Sequence, residues 1–224
     1  MKQRLYSCLE VKVMAKGYVI MGDIANSSSK DGKRLMADFK LVAEKVKKKH
    51  KSSFLSPITI TLGDEFQAIV DTLSAAVEVI FTFEEVFVRE AIDIRMRYVV
   101  QYGTVDTDIN SKIAYEMLGE GLTAAREHLL QLKKSRDLRI AFYLQTAEKA
   151  KTIEQLFFVF TSIVDKWKTK DAALIGSFIE LGDYKAVAER LSLNRSQLWK
   201  REKVLMIREY LSLRSAIQYL STEK

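Results

Sequence analysis

Residues 57–70 read PITITLGDEFQAIV, two runs of β-branched and apolar residues joined through Leu62-Gly63-Asp64. A Gly-Asp step between such runs is a hairpin signal, because glycine accepts backbone angles that other residues resist. Two antiparallel strands are therefore expected, with Asp64 at the tip. A second Gly-Asp, Gly22-Asp23, closes the short apolar run GYVIM at 17–21, itself expected as a buried strand. Two carboxylates thus stand at two strand ends.

Working outward, Leu35, Phe39, Val42 and Val46 recur at helical spacing and predict a helix over 30–49, with Asn26 to Ser29 as candidate caps. Thr72 is the candidate cap of a second helix carrying Val77, Ile80, Phe81, Glu84 and Val88, and DIRMRYVVQYG at 93–103 reads as a fourth strand. The order β-α-β-β-α-β is that of the split βαβ, ferredoxin-like arrangement, with strands one and three central and both helices on one face. In it the end of strand one lies beside the hairpin, so Asp23 and Asp64 approach each other at one sheet edge. Carboxylates so placed repel unless a cation joins them, and hard oxygen ligands favour Mg²⁺ or Mn²⁺, with the phosphates of a nucleoside triphosphate completing the shell. Backbone amides over 24–28 would hold phosphate oxygens, which makes Asn26, Ser27 and Ser28 the phosphate-binding candidates. Further on, LRIAFYLQ at 138–145 suggests one more strand. Ile153, Leu156, Phe157, Phe160, Ile163, Val164 and Trp167 mark an amphipathic helix that covers the sheet or pairs with a second copy.

Composition narrows the classes. With 224 residues, 48% of them hydrophobic, the chain is long enough for a real core and suggests one domain plus a smaller one. Its single cysteine, Cys8, excludes an internal disulfide and a cysteine-based zinc site. No stretch reaches membrane-spanning length and the first residues lack a signal-peptide core, so a cytoplasmic protein is expected, with residues 1–15 as an extension and Met14 as an alternative start. The net charge of +7 favours anionic partners. Part of it, KVKKKHK at 45–51, ends a helix, where cations suit the macrodipole. His50 and His128 are isolated and read as surface or cap residues.

The other basic cluster has a motif beneath it. DYKAVAERLSLNRSQLWKREKVL at 183–205 has the pattern of a helix-turn-helix: small Ala188 at the helix contact, Ser192 opening the turn, Leu198 anchoring the second helix, and Leu191 and Leu193 filling the space between. Arg195, Ser196, Gln197, Lys200 and Arg201 would then face outward, a set suited to DNA phosphates and base edges. The expected organisation is an α+β domain over 16–169 followed by a small all-α domain over 170–224.

GYVIMGDIANSS together with ITLGDEFQAIV resembles the bacterial SatD family, and more remotely the palm-like domains of class III nucleotide cyclases and of diguanylate cyclases. The resemblance implies that Asp23 and Asp64 are metal ligands, that Ile24 adds a carbonyl, and that Glu65 is the hairpin's second acidic residue. In the cyclases two metals so held bind the triphosphate and activate a 3′-hydroxyl. GEGLTAAREHL at 119–129 is similar to the cyclase helix that supplies an asparagine and an arginine, but only the arginine is matched, by Arg126; Leu122 stands at the asparagine place. Leu62 likewise stands where the diguanylate signature has its first glycine. Arg126 is therefore the one catalytic candidate. Three readings follow: a nucleotide-sensing, DNA-binding regulator; an active nucleotidyl cyclase or transferase; and a protein-interaction scaffold. A homodimer is expected from the first two.

Overall fold

The computed structural model describes residues 15–27, 31–135 and 138–222, so the expectations for Cys8, Met14, Ser28 and Ser29 lie outside the described residues. The elements run β1 (Ala15–Ile24), α1 (Gly32–Lys49), β2 (Phe54–Ile60), β3 (Glu65–Val70), α2 (Leu73–Arg89) and β4 (Met96–Val105). They continue with α3 (Glu120–Leu132), β5 (Ile140–Tyr143), α4 (Ala147–Val164), α5 (Ala172–Leu181), α6 (Tyr184–Leu191), α7 (Arg195–Val204) and α8 (Ile207–Ser221). The fold is mixed α+β. Its sheet has the order β2-β3-β1-β4-β5, with β1 antiparallel to both neighbours and β5 parallel to β4. The βαββαβ order and the central place of strands one and three are those expected.

Alternation along the strands sends residues to two different cores. Tyr18, Ile20, Phe66, Ala68, Tyr98 and Val100 pack with Phe39 of α1, Ile80 of α2 and Phe157 of α4. Val19, Met21, Ile69 and Val99 face the other way, onto Leu122, Ala125, Leu129 and Leu132 of α3. The second face, with one helix over it, is the one that carries the acidic residues.

Local chemistry explains several boundaries. Thr72 caps α2 as expected, accepting the N–H of Ala75 at 3.2 Å. The cap of α1, however, is Asp31, which accepts the N–H of Lys33 at 3.1 Å; Asn26 instead takes a left-handed turn conformation, with φ 58°. The helix consequently starts at Gly32 rather than near residue 30.

Beyond β5 the first core continues without a break. Phe81 packs against Phe157 and Phe160, with ring centroids 5.3 and 5.1 Å away, and Tyr210 of α8 packs against Phe160 and Trp167. Helix α4 is thus a core helix. Ionic groups clamp α8 to α2: Arg214 reaches Glu85 at 2.9 Å and Glu78 at 3.0 Å, and the Tyr210 hydroxyl donates to Glu85 at 3.0 Å. In the α6–α7 pair, Ala188 and Leu198 are buried as expected. Ser192 sits in the left-handed region, with φ 53°, and the N–H of Leu193 bonds the Ala188 carbonyl at 3.0 Å. Leu191, the last residue of α6, and Leu193, just past the turn, are 39% and 48% exposed, so Val187 rather than these leucines fills the space inside.

Glu85 is buried with two partners on α8, so its loss strands the Tyr210 hydroxyl and leaves Arg214 with Glu78 alone. Glu85→Ala is expected to lower stability by about 3–5 kcal/mol in chemical denaturation, the cost of breaking a buried pair from one side.

Candidate functional site

Three strands bring their polar residues into one row. Asp23 on β1 lies opposite Glu65 on β3 and opposite Arg97 on β4, so Glu65, Asp23 and Arg97 stand side by side on the α3 face of the sheet. Alternation dictates this: Val19 and Met21 precede Asp23 on that face, and Ile69 and Val99 lie on it too. The two Gly-Asp glycines serve different ends. A Cβ on Gly22 would stand 2.5 Å from the Phe66 ring and 2.9 Å from the Arg97 carbonyl, so only glycine lets β1 lie between its neighbours there. Gly63 instead needs its positive φ of 68° to turn the hairpin. The hairpin tip is tied back by the N–H of Ile24, which donates to the Asp64 carbonyl at 3.0 Å, and by the hydroxyl of Ser27, which donates to the Asp64 carboxylate at 2.7 Å.

The electrostatics centre on Asp23, which is only 3% exposed. Arg97 bonds its Oδ2 at 2.9 Å, and Lys133, just past the end of α3, stands 3.7 Å from the same oxygen and 2.6 Å from Glu65. Oδ1 of Asp23 is buried with no hydrogen-bond partner. Burial pushes the Asp23 carboxyl above its usual range, and the charges of Lys133 and Arg97 offset this only in part. Burial alone would lower the Lys133 ammonium, but its bond to Glu65 and the charges of Asp23, Glu65 and Asp64 outweigh that and raise it.

Sequence reasoning named Asp23, Asp64 and Glu65, and the fold gathers them around Lys133. It missed Lys133 and Arg97. Arg97 became visible only through its register with Asp23, and Lys133 only through the packing of α3. Ile24 is buried, and Asn26 is exposed at the turn that leaves β1. Arg126 is exposed on α3, with no ion pair among the described residues, while Leu122 is buried in the core beneath that helix. On α7, Arg195, Ser196, Gln197 and Lys200 are exposed. Arg201 does not face freely outward with them: it is partly buried and bonds Asp171 at 2.6 Å.

Among the described residues no group of three or more His, Cys, Asp or Glu side chains is arranged to hold a metal ion. Asp23 and Asp64 both offer hard carboxylate oxygens, the donor type that a divalent cation such as Mg²⁺ takes, and one buried Asp23 oxygen lacks a partner. An acceptor left so costs about 1–3 kcal/mol, which a cation would relieve.

Fold and site together define an α+β sheet protein with a row of charged residues at the end of its central strand. The chain belongs to the SatD family, whose family model matches residues 18–220. No curated protein matches it. Two solved structures of a bacterial light-regulated adenylyl cyclase are similar to it at 15% and 14% identity, each with a TM-score of 0.44. In each, 58% of this chain is covered, against 43% of the cyclase chain, so the chain spans less than half of their length. No helix among the described residues is long and apolar enough to cross a membrane.

The raised value of Asp23 has a definite consequence for pH. The folded protein holds that proton more tightly than the unfolded chain, so stability falls as pH rises from the usual carboxylate value through the folded one. At neutral pH the charge is a net cost. Asp23→Asn is therefore expected to melt higher than the wild type at pH 7, with the gain vanishing below about pH 4, the ordinary aspartate range. A lower melting temperature at pH 7 would contradict this.

Proposed function

We propose that the chain is a nucleotide-sensing, DNA-binding regulator whose charged row holds a nucleoside triphosphate through Mg²⁺ or Mn²⁺. The observation that carries the reading is the buried, unpartnered Oδ1 of Asp23 beside the hairpin that bears Asp64. Asp23 and Asp64 would hold the cation, which supplies charge to bind the triphosphate. Lys133 and Arg97, now neutralising Asp23 and Glu65, would turn part of their charge to phosphate oxygens once the metal takes over that task. Ser27, already bonded to Asp64, and Asn26 lie on the turn that leaves β1, where phosphate would approach; Ser28 completes that set in sequence.

Binding is favoured over catalysis by the α3 helix. Leu122 is buried among core residues, so the place of a transition-state asparagine offers no polar group, and Arg126 acts alone. The DNA half of the reading rests on the exposed Arg195, Ser196, Gln197 and Lys200 of α7, with Lys203 lying over the Trp199 ring at 3.8 Å. A chain of bonds supports coupling of the two. The Arg95 carbonyl bonds Ala25, two residues past Asp23, and the Arg95 side chain pairs with Asp165 at 2.9 Å. Two residues beyond Asp165, the Trp167 indole donates to the Leu205 carbonyl at the end of α7. Nucleotide would shift DNA affinity only by binding one arrangement of these links better than another.

A thermal-shift screen of ATP, GTP, CTP and UTP with Mg²⁺ or Mn²⁺ tests the first half. A metal-dependent rise with one nucleotide, lost in Asp64→Ala, is expected; no rise with any nucleotide favours a scaffold, and turnover of the nucleotide favours an enzyme. For the second half, Arg195→Ala and Lys200→Ala should each weaken duplex binding and flatten its salt dependence by a log–log slope of about 1. A salt-insensitive affinity would contradict DNA binding.

A further inference from the structure

At the far end of α1 from the charged row, a groove of about 630 Å³ opens between that helix, the start of β2 and the loop before α3. Leu41, Phe54 and Pro57 give it an apolar floor, and Lys48, Lys51 and Lys112 form its rim. None of Asp23, Asp64, Glu65, Arg97 and Lys133 lines it, so it is a second place on the molecule.

Two other lysines at the groove are already paired, Lys45 with Glu90 at 2.5 Å and Lys47 with Glu44 at 3.1 Å. Lys48, Lys51 and Lys112 have no anionic partner among the described residues. The macrodipole of α1 accounts for Lys48 alone, because Lys51 and Lys112 lie outside the helix. Lys112 is also held in place. The Asn110 side chain accepts its N–H at 3.0 Å, Ser56 bonds the Asn110 carbonyl at 2.5 Å, and the N–H of Ala114 donates to Thr59 at 2.7 Å. The loop that presents this charge is thereby laced to the edge strand.

That edge is closed to an added strand. β2 is outermost in the sheet, Pro57 lacks an N–H, and its pairing with β3 shifts register twice. An extended peptide would find no ladder there. The volume lies within the range of small-molecule sites, about 300–1,000 Å³. An apolar floor beneath three unpaired ammonium groups is complementary to one chemistry: an apolar body joined to a phosphate or carboxylate head.

We propose that this groove binds a soluble organic anion that lays an apolar body on Leu41, Phe54 and Pro57 and its charged head against Lys48, Lys51 and Lys112. The inference is independent of the nucleotide reading. Calorimetric titration with n-octyl phosphate tests it, with inorganic phosphate and n-octanol as separate arms. One saturable site for octyl phosphate is expected, at least tenfold tighter than for either fragment. Lys48→Glu/Lys51→Glu/Lys112→Glu and, separately, Leu41→Asp should each weaken it at least tenfold. All four side chains are exposed, so circular-dichroism melting should show these variants folded. Asp64→Ala should bind octyl phosphate as the wild type does. Absence of a saturable site, equal binding of phosphate alone, unchanged affinity in the variants, or loss in Asp64→Ala would each overturn the proposal. Lysine-dependent co-sedimentation with anionic phosphatidylglycerol vesicles, without octyl phosphate binding, would also overturn it in favour of a membrane surface.

Discussion

The charge of Asp23 is buried at the end of the sheet's central strand, and the geometry around it answers that one cost. Taking a carboxylate out of water costs several kcal/mol even after relaxation, so a buried one needs partners with good geometry. Arg97 supplies one from the neighbouring strand, and Lys133 supplies another from beyond α3 while also holding Glu65. The partners cover only one oxygen. The site is thus compensated by two side-chain cations and is still one partner short, and the metal and phosphate proposed above would act at that point.

The helices after β5 share the core of the sheet. Glu84 of α2 is buried against the Tyr98 hydroxyl and Arg139, and Arg139 also reaches Asp165 at 2.9 Å, as Arg95 does. The Tyr98 hydroxyl is held well above its usual range by burial and by the Glu84 charge beside it. Asp165 thus joins β4 and β5 at the end of α4, immediately before the segment that bonds α7. With Glu85 and Glu78 clamping α8, buried ionic groups fix the C-terminal helices from two sides. Such groups lose heavily when a partner moves, which makes them sensitive to small displacements of β4.

Much of this was legible in the chain. The alternation around Gly63-Asp64 and the helical spacing from Leu35 to Val46 are local signals, and they gave the strand order and the meeting of Asp23, Asp64 and Glu65. What stayed hidden depends on register and packing. Nothing near Arg97 in sequence marks it as the neighbour of Asp23; that follows from pairing β1 with β4 residue by residue. Lys133 looks like any lysine at a helix end until α3 is laid on the second face. Leu191 and Leu193 were misplaced for a related reason: their spacing fits a buried stripe, but one ends α6 and the other follows the left-handed turn at Ser192, and both are exposed. Arg201 carries the outward pattern of its helix, and Asp171, thirty residues earlier, takes its charge.

The central claim is that the Asp23 and Asp64 carboxylates share a divalent cation when phosphate is present. Anomalous diffraction from crystals grown with Mn²⁺ and a non-hydrolysable nucleoside triphosphate tests it most directly. The account predicts a manganese peak in bonding contact with Asp23 Oδ1 and with an Asp64 carboxylate oxygen, with Lys133 drawn away from Glu65. Bound nucleotide with no metal at these aspartates, or Lys133 still bridging Glu65 and Asp23 beneath it, would contradict it.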